Sequence, residues 1–171
     1  YLHQTAQIIV QDFGGNFPHD LHELVKLPGV GKNTAAAVLT YAFNEPVAFL
    51  ETNIRTVYIY HFFKDETAVP DTKILELVGQ TLDMRNPREW YWALMDYGSF
   101  LKKSVGNLNK LSKHYTKQSA FQGSKRQVRG QVLRLLATGP QTQTELMQHI
   151  TDARLPAMLD DLAREELVRQ K

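Results

Sequence analysis

Two short segments hold the residue types that could do chemistry. The first is Leu27-Pro28-Gly29-Val30-Gly31-Lys32-Asn33-Thr34, followed by Ala35-Ala36-Ala37-Val38-Leu39. Two glycines flank one apolar residue, after a proline and before a run of small residues. That order suits a tight turn between two helices. Glycine accepts positive φ and leaves its backbone N–H uncovered by a Cβ. A helix starting near Lys32 adds further free N–H groups and the positive end of its dipole. Leu27, Gly29, Val30, Gly31, Lys32 and Thr34 thus outline a corner able to hold an anion, with a DNA phosphate as the leading candidate. A plain turn that only reverses the chain has the same pattern. The second segment is Leu50-Glu51-Thr52-Asn53-Ile54-Arg55, with Glu51 twenty residues after Gly31. Here a carboxylate sits just before a helix. The dipole and the free N–H groups hold such a carboxylate rigidly. A simple helix cap also looks like this.

The elements that must position these groups read as helices nearly throughout. Residues 1–13 place Leu2, Ala6, Ile9, Val10 and Phe13 on one face. Pro18 and Asp20 open a short helix carrying Leu21, Leu24 and Val25. A small-residue helix spans about 32–43, and Asn44-Glu45-Pro46 breaks it. Val47-Ala48-Phe49-Leu50 reads as a buried extended approach. Thr52 or Glu51 then caps a helix with Ile54, Val57, Tyr58 and Phe62. Pro70-Asp71 and Asn86-Pro87 open two more. From Gly106 to Gly123 no apolar period survives, which reads as a long ordered loop on a surface. From Lys125 three helices follow, and Leu167-Val168-Arg169 could start a strand. That order is the order of a winged helix-turn-helix. A small three-helix bundle for packing or protein contact is the alternative, and the acidic third helix favours it.

Charge is distributed unevenly. Between Asp96 and Glu145 there are nine basic residues and no acidic one; the rest holds eleven basic and eighteen acidic. Lys102, Lys103, Lys113, Lys117, Lys125, Arg126 and Arg129 lie in that stretch, interleaved with aromatics. Such a block favours a polyanionic partner. No apolar run is long enough to span a bilayer. The chain has no cysteine, which excludes disulfides, Cys-ligated zinc and a Cys-ligated iron–sulfur cluster within it.

The two segments together resemble a known signature. LPGVGKNTAAAVLTYAF followed by LETNIRTV is similar to the helix-hairpin-helix and Gly/Pro-Asp motif of the base-excision DNA glycosylase superfamily, which includes endonuclease III and MutY-type adenine glycosylases. Trp92-Ala93-Leu94-Met95-Asp96-Tyr97-Gly98 resembles the helix that leads into that family's iron–sulfur loop. Gly14-Gly15-Asn16-Phe17-Pro18 resembles the adenine-glycosylase branch. The likeness covers about residues 1–100.

The resemblance implies a fold and a chemistry. The fold class is all-α: a glycosylase-like helical domain at 1–105, a basic connector at 106–124 and a winged-helix-like module at 125–171. The N–H groups of Gly29, Val30 and Gly31 would grip a phosphate 3′ of the lesion. Main-chain carbonyls of Val25, Leu27 and Val30 would hold a monovalent cation, Na or K. Glu51 stands where the family's essential aspartate stands, and Asn53 matches an asparagine that supports the adenine-glycosylase site. Asn33 takes the position of the Schiff-base lysine of bifunctional members. An amide cannot form that imine, so a monofunctional enzyme is expected. No iron–sulfur cluster is expected, and the basic stretch stands in place of its loop. The partner implied is double-stranded DNA with a damaged or mismatched base, in a cytoplasm of bacterial type at the nucleoid. No membrane is implied, and residues 125–171 are a candidate protein contact. Two departures stand out: Asn44 replaces the motif's glycine, and Glu51 its aspartate. The family's opening helices, with the adenine branch's general-acid glutamate, are expected upstream of Tyr1. A second reading is a DNA-binding protein that keeps the scaffold without catalysis.

Overall fold

Helix ends in this chain follow from local residues. The computed structural model describes residues 1–169. Its helices are α1 (Leu2–Phe13), α2 (Leu21–Leu24), α3 (Lys32–Phe43), α4 (Thr52–Phe62), α5 (Asp71–Thr81), α6 (Pro87–Ser104), α7 (Lys125–Thr138), α8 (Gln143–His149) and α9 (Leu155–Arg164), with a 3-10 turn at Leu108–Leu111. The all-α class holds: among the described residues there is no strand, and one isolated bridge pairs Val69 with Ser112. No described helix is long and apolar enough to cross a membrane.

The chain divides into two units, 1–115 and 116–171. That boundary cuts the expected 106–124 connector. Its first half belongs to the first unit, because Asn109 and Ser112 are buried there and Leu108 and Leu111 pack on the main core.

In the first unit, the main core gathers Phe49, Leu50, Ile54, Tyr58, Ile59, Val69, Ile74, Val78 and Tyr91. A smaller cluster of Leu24, Leu27, Ala35 and Leu39 lies under the α2–α3 turn. Helix α1 buries no residue completely; Ile9 and Phe13 are half-buried on the smaller cluster, while Leu2 and Val10 are exposed. Of the apolar residues read on this helix, Ile54, Val57 and Tyr58 are buried and Phe62 is exposed near its end, while Ile59 is buried as well. Asn44 explains one departure from the motif. It ends α3 at φ 58, a left-handed conformation that asparagine tolerates better than most residues. Its Oδ1 also accepts the Arg88 N–H at 3.1 Å.

In the second unit, Ser124 caps α7. Thr142 caps α8 in a reciprocal box with Glu145. The Arg154 guanidinium holds Asp152 down at about 2. The three helices pack around Val128, Val132, Leu146, Leu155 and Leu162. The strand expected at Leu167–Arg169 does not form. Glu166 takes φ 59 and the Leu167 N–H donates back to the Leu162 carbonyl, which closes α9 and turns the chain. The described part of this unit is therefore a three-helix bundle.

Tyr91 ties the extended approach to α6. Its hydroxyl accepts the Phe49 N–H at 3.0 Å and donates to the Val47 carbonyl at 3.1 Å. Burial pushes this hydroxyl up from 10.0 to about 12. The unfolded chain releases the proton first, so this contribution is intact below pH 10 and is lost as pH rises from 10 towards about 12. Tyr91→Phe leaves the Phe49 N–H without its acceptor and is expected to lose about 1–3 kcal/mol at neutral pH. Urea unfolding at pH 8 and across the alkaline range should show that loss and a shallower alkaline decline.

Candidate functional site

The α2–α3 turn leaves several main-chain N–H groups without an acceptor. Gly29 sits at φ 78. Gly31 stands at the N-cap of α3 and offers no capping side chain. Among the described residues, the N–H groups of Gly29, Gly31, Lys32, Asn33 and Thr34 donate to nothing, while the first bond into α3 runs from Ala35 to the Gly31 carbonyl. Gly31, Lys32, Asn33 and Thr34 are all exposed. Two expected members play different parts. The Val30 N–H points back to the Leu27 carbonyl at 3.1 Å, so it is not free for an anion. The Leu27 side chain is buried in the smaller cluster and anchors the turn from below. Thr5 on α1 donates to the Pro28 carbonyl at 3.0 Å and steadies the turn from the other side.

The carboxylate segment follows. Glu51 is the N-cap of α4, and its Oε2 accepts the Asn53 N–H at 3.0 Å. Glu51 is exposed, and its Oε1 has no partner among the described residues. Asn33 joins the two segments. Its Nδ2 donates to the Leu50 carbonyl at 3.0 Å, directly ahead of Glu51. Asn33 thus ties the first turn of α3 to the backbone ahead of Glu51, a link that the motif alone does not reveal. Tyr41 is a neighbour that sequence reasoning missed. Burial raises its pKa, and the charge of Glu51 adds to the shift. Its ring meets Phe49 edge-on at 5.8 Å. No spacing rule marks Tyr41, because only the fold brings α3 and Glu51 together.

Gly98 sets the depth of α4. A Cβ there would lie 2.2 Å from the Asn53 carbonyl oxygen and 2.6 Å from its carbon. The main chains of α4 and α6 are thus in direct contact beside Asn53.

The basic candidates fall on both units. Lys102, Lys103 and Lys113 belong to the first, and Lys117, Lys125, Arg126 and Arg129 to the second. All are exposed except Arg129, which is half-buried. Arg129 forms a bidentate pair with Glu165 at 2.7 and 2.9 Å, so its charge is already matched within its own unit. A cation at the turn fits the donors present. The Val25 and Val30 carbonyls accept no hydrogen bond among the described residues, and Leu27 keeps a second lone pair. The iron–sulfur cluster found in members of the family needs thiolate ligands, and this chain has none. The residues present do not fit that group.

An exposed hairpin with free N–H groups, twenty residues ahead of a capping carboxylate, is the arrangement that the helix-hairpin-helix resemblance leads one to expect. No family model matches the chain. Curated relatives do. An adenine DNA glycosylase of Buchnera aphidicola subsp. Baizongia pistaciae is 30% identical over 131 residues, covering 71% of this chain and 36% of that protein. An adenine DNA glycosylase of Mycolicibacterium smegmatis is 30% identical over 191 aligned positions, covering 99% of this chain and 64% of that protein. Endonuclease III of Bacillus subtilis is 41% identical over 56 residues, covering 33% of this chain and 26% of that protein. The chain belongs to the helix-hairpin-helix DNA glycosylase superfamily. It spans less than two thirds of the length of each of these relatives.

Gly98→Ala should force α4 and α6 apart, with a loss of about 3 kcal/mol. Denaturant melts followed by near-UV circular dichroism check this. An unchanged midpoint would mean that the helices yield there without cost.

Proposed function

We propose that the chain carries the anion corner and the catalytic carboxylate of a DNA N-glycosylase. Its reaction is hydrolysis of the bond between a damaged or mismatched base and its sugar. The observation that supports this most is the Asn33–Leu50 hydrogen bond. It couples the helix that opens at the anion corner to the backbone that presents Glu51.

The chemistry follows from charge. The target base leaves the stack to reach the protein. Breaking the N-glycosidic bond builds positive charge on the sugar. A fixed carboxylate beside it lowers the barrier, and Glu51 is that group. Its Oε2 is held by Asn53, which leaves Oε1 for the sugar or for a water. The free N–H groups of Gly29, Gly31, Lys32, Asn33 and Thr34 hold a backbone phosphate. A Na or K ion on the Val25, Leu27 and Val30 carbonyls would add positive charge there. Lys102, Lys103, Lys113, Lys117, Lys125 and Arg126 supply further phosphate contacts. Asn53 keeps the carboxylate in place.

Asn33 lacks the amine needed for an imine, which supports hydrolysis without strand cleavage. Two of the relatives above are named adenine DNA glycosylases, which supports adenine as the released base. Residues 125–171 offer a protein contact, through the acidic side chains of α9. A second reading, a binding protein without catalysis, draws on one observation: Glu51 already caps its own helix.

The test uses the full-length protein and a panel of duplexes, each with one oxidised or mismatched base, adenine mispairs among them. The expected result is release of free base, an abasic site in an unbroken strand, and no adduct trapped by borohydride. A trapped adduct would overturn the monofunctional assignment. Tight binding with no base released from any duplex would favour the second reading.

A further inference from the structure

The ten residues Gly106–Tyr115 follow α6, and of them only Lys113 has a part in the function proposed above. They leave α6 through Gly106 at φ 91, pass the 3-10 turn and come back beside the start of α5. Two main-chain bonds hold the return: Val69 N–H to the Leu111 carbonyl at 2.8 Å, and Lys113 N–H to the Val69 carbonyl at 2.9 Å. The Ser112 hydroxyl donates to Asp71 at 3.3 Å. Asp71 in turn makes a bidentate pair with Arg55 on α4, at 2.7 and 2.9 Å.

Asn109 is the centre of this clip. It is 4% exposed and faces α4. Its Nδ2 donates to Thr56 Oγ1 at 2.8 Å, and the Thr56 hydroxyl donates to the Thr52 carbonyl at 2.9 Å. The direction of this chain is fixed by inventory. Thr56 has one hydroxyl proton, Thr52 takes it, and Thr56 must accept from Asn109. Thr52 lies between Glu51 and Asn53, so the chain ends on the peptide unit beside the catalytic cap. Asn109 Oδ1 is buried without a partner among the described residues. An apolar side chain would avoid that desolvation. A local rule broken without compensation is expected at a functional position.

We propose that Asn109 is a positioning residue for Glu51, acting through Thr56 and Thr52. It fixes the first turn of α4 through the Thr52 carbonyl. The clip follows the helix that resembles the one leading into the family's iron–sulfur loop, and it is held by these hydrogen bonds together with the packing of Leu108 and Leu111 on the core. The meaning of Glu51 rests on the function proposed above; the positioning itself does not.

The test has two readouts. The first is amide hydrogen exchange at Asn53 and Arg55, whose N–H groups bond to Glu51 Oε2 and to the Glu51 carbonyl. Thr56→Val and Asn109→Ala should speed exchange there about tenfold relative to α3 and α5. Thr56→Ser keeps the hydroxyl and should match the wild type. The second readout is single-turnover excision by the full-length protein. The same two variants should slow it about a hundredfold with DNA affinity unchanged, and Thr56→Ser should restore it. Unchanged exchange at Asn53 and Arg55, or faster exchange spread evenly over the chain, overturns the proposal. The expected exchange pattern in a wild type that excises nothing supports the positioning and overturns the glycosylase reading.

Discussion

Asn53 and Gly98 touch main chain to main chain, and the site depends on that contact. There is no space for a Cβ between α4 and α6 at this point. The first turn of α4 therefore cannot move towards α6, and only glycine lets it come so close. Tyr91, on α6, fixes Val47 and Phe49 in the segment leading to Glu51. Asn33 fixes Leu50 from α3. The position of Glu51 is set by backbone contacts on several sides before its own side chain contributes anything. That is the condition under which a fixed charge is effective, because nothing must reorganise as charge develops.

The two departures from the family motif are both accommodated locally. Asn44 takes the left-handed conformation that the motif's glycine would take, and it gains a bond to Arg88. Glu51 carries one more methylene than aspartate, yet its carboxylate still reaches the Asn53 N–H as a cap. The extra length curls onto the helix that Glu51 starts.

The parts of this arrangement that were legible in the sequence are local ones. Glycine at the turn, proline before it and small residues after it dictate the hairpin through φ and helix-start rules. Glu51 announces its helix for the same reason. What stayed hidden depends on residues far apart in the chain. Gly98 lies in a recognisable motif, but its purpose appears only when Asn53 is beside it. Tyr41 and Asn109 carry no spacing signal. Arg129 reads as a free cation until Glu165, 36 positions away, matches its charge. The Leu167 strand failed because a left-handed turn at Glu166 is decided by the closure of α9, not by the apolar pair that follows.

The proposed function has the Glu51 carboxylate carry base excision while the hairpin holds DNA. Glu51→Gln tests it directly, since the amide keeps the shape and the capping oxygen but removes the charge. Single-turnover excision by the full-length variant, measured beside its DNA affinity, is the measurement. The expected result is a loss of excision of at least about a hundredfold with affinity unchanged. Wild-type excision by that variant would contradict it.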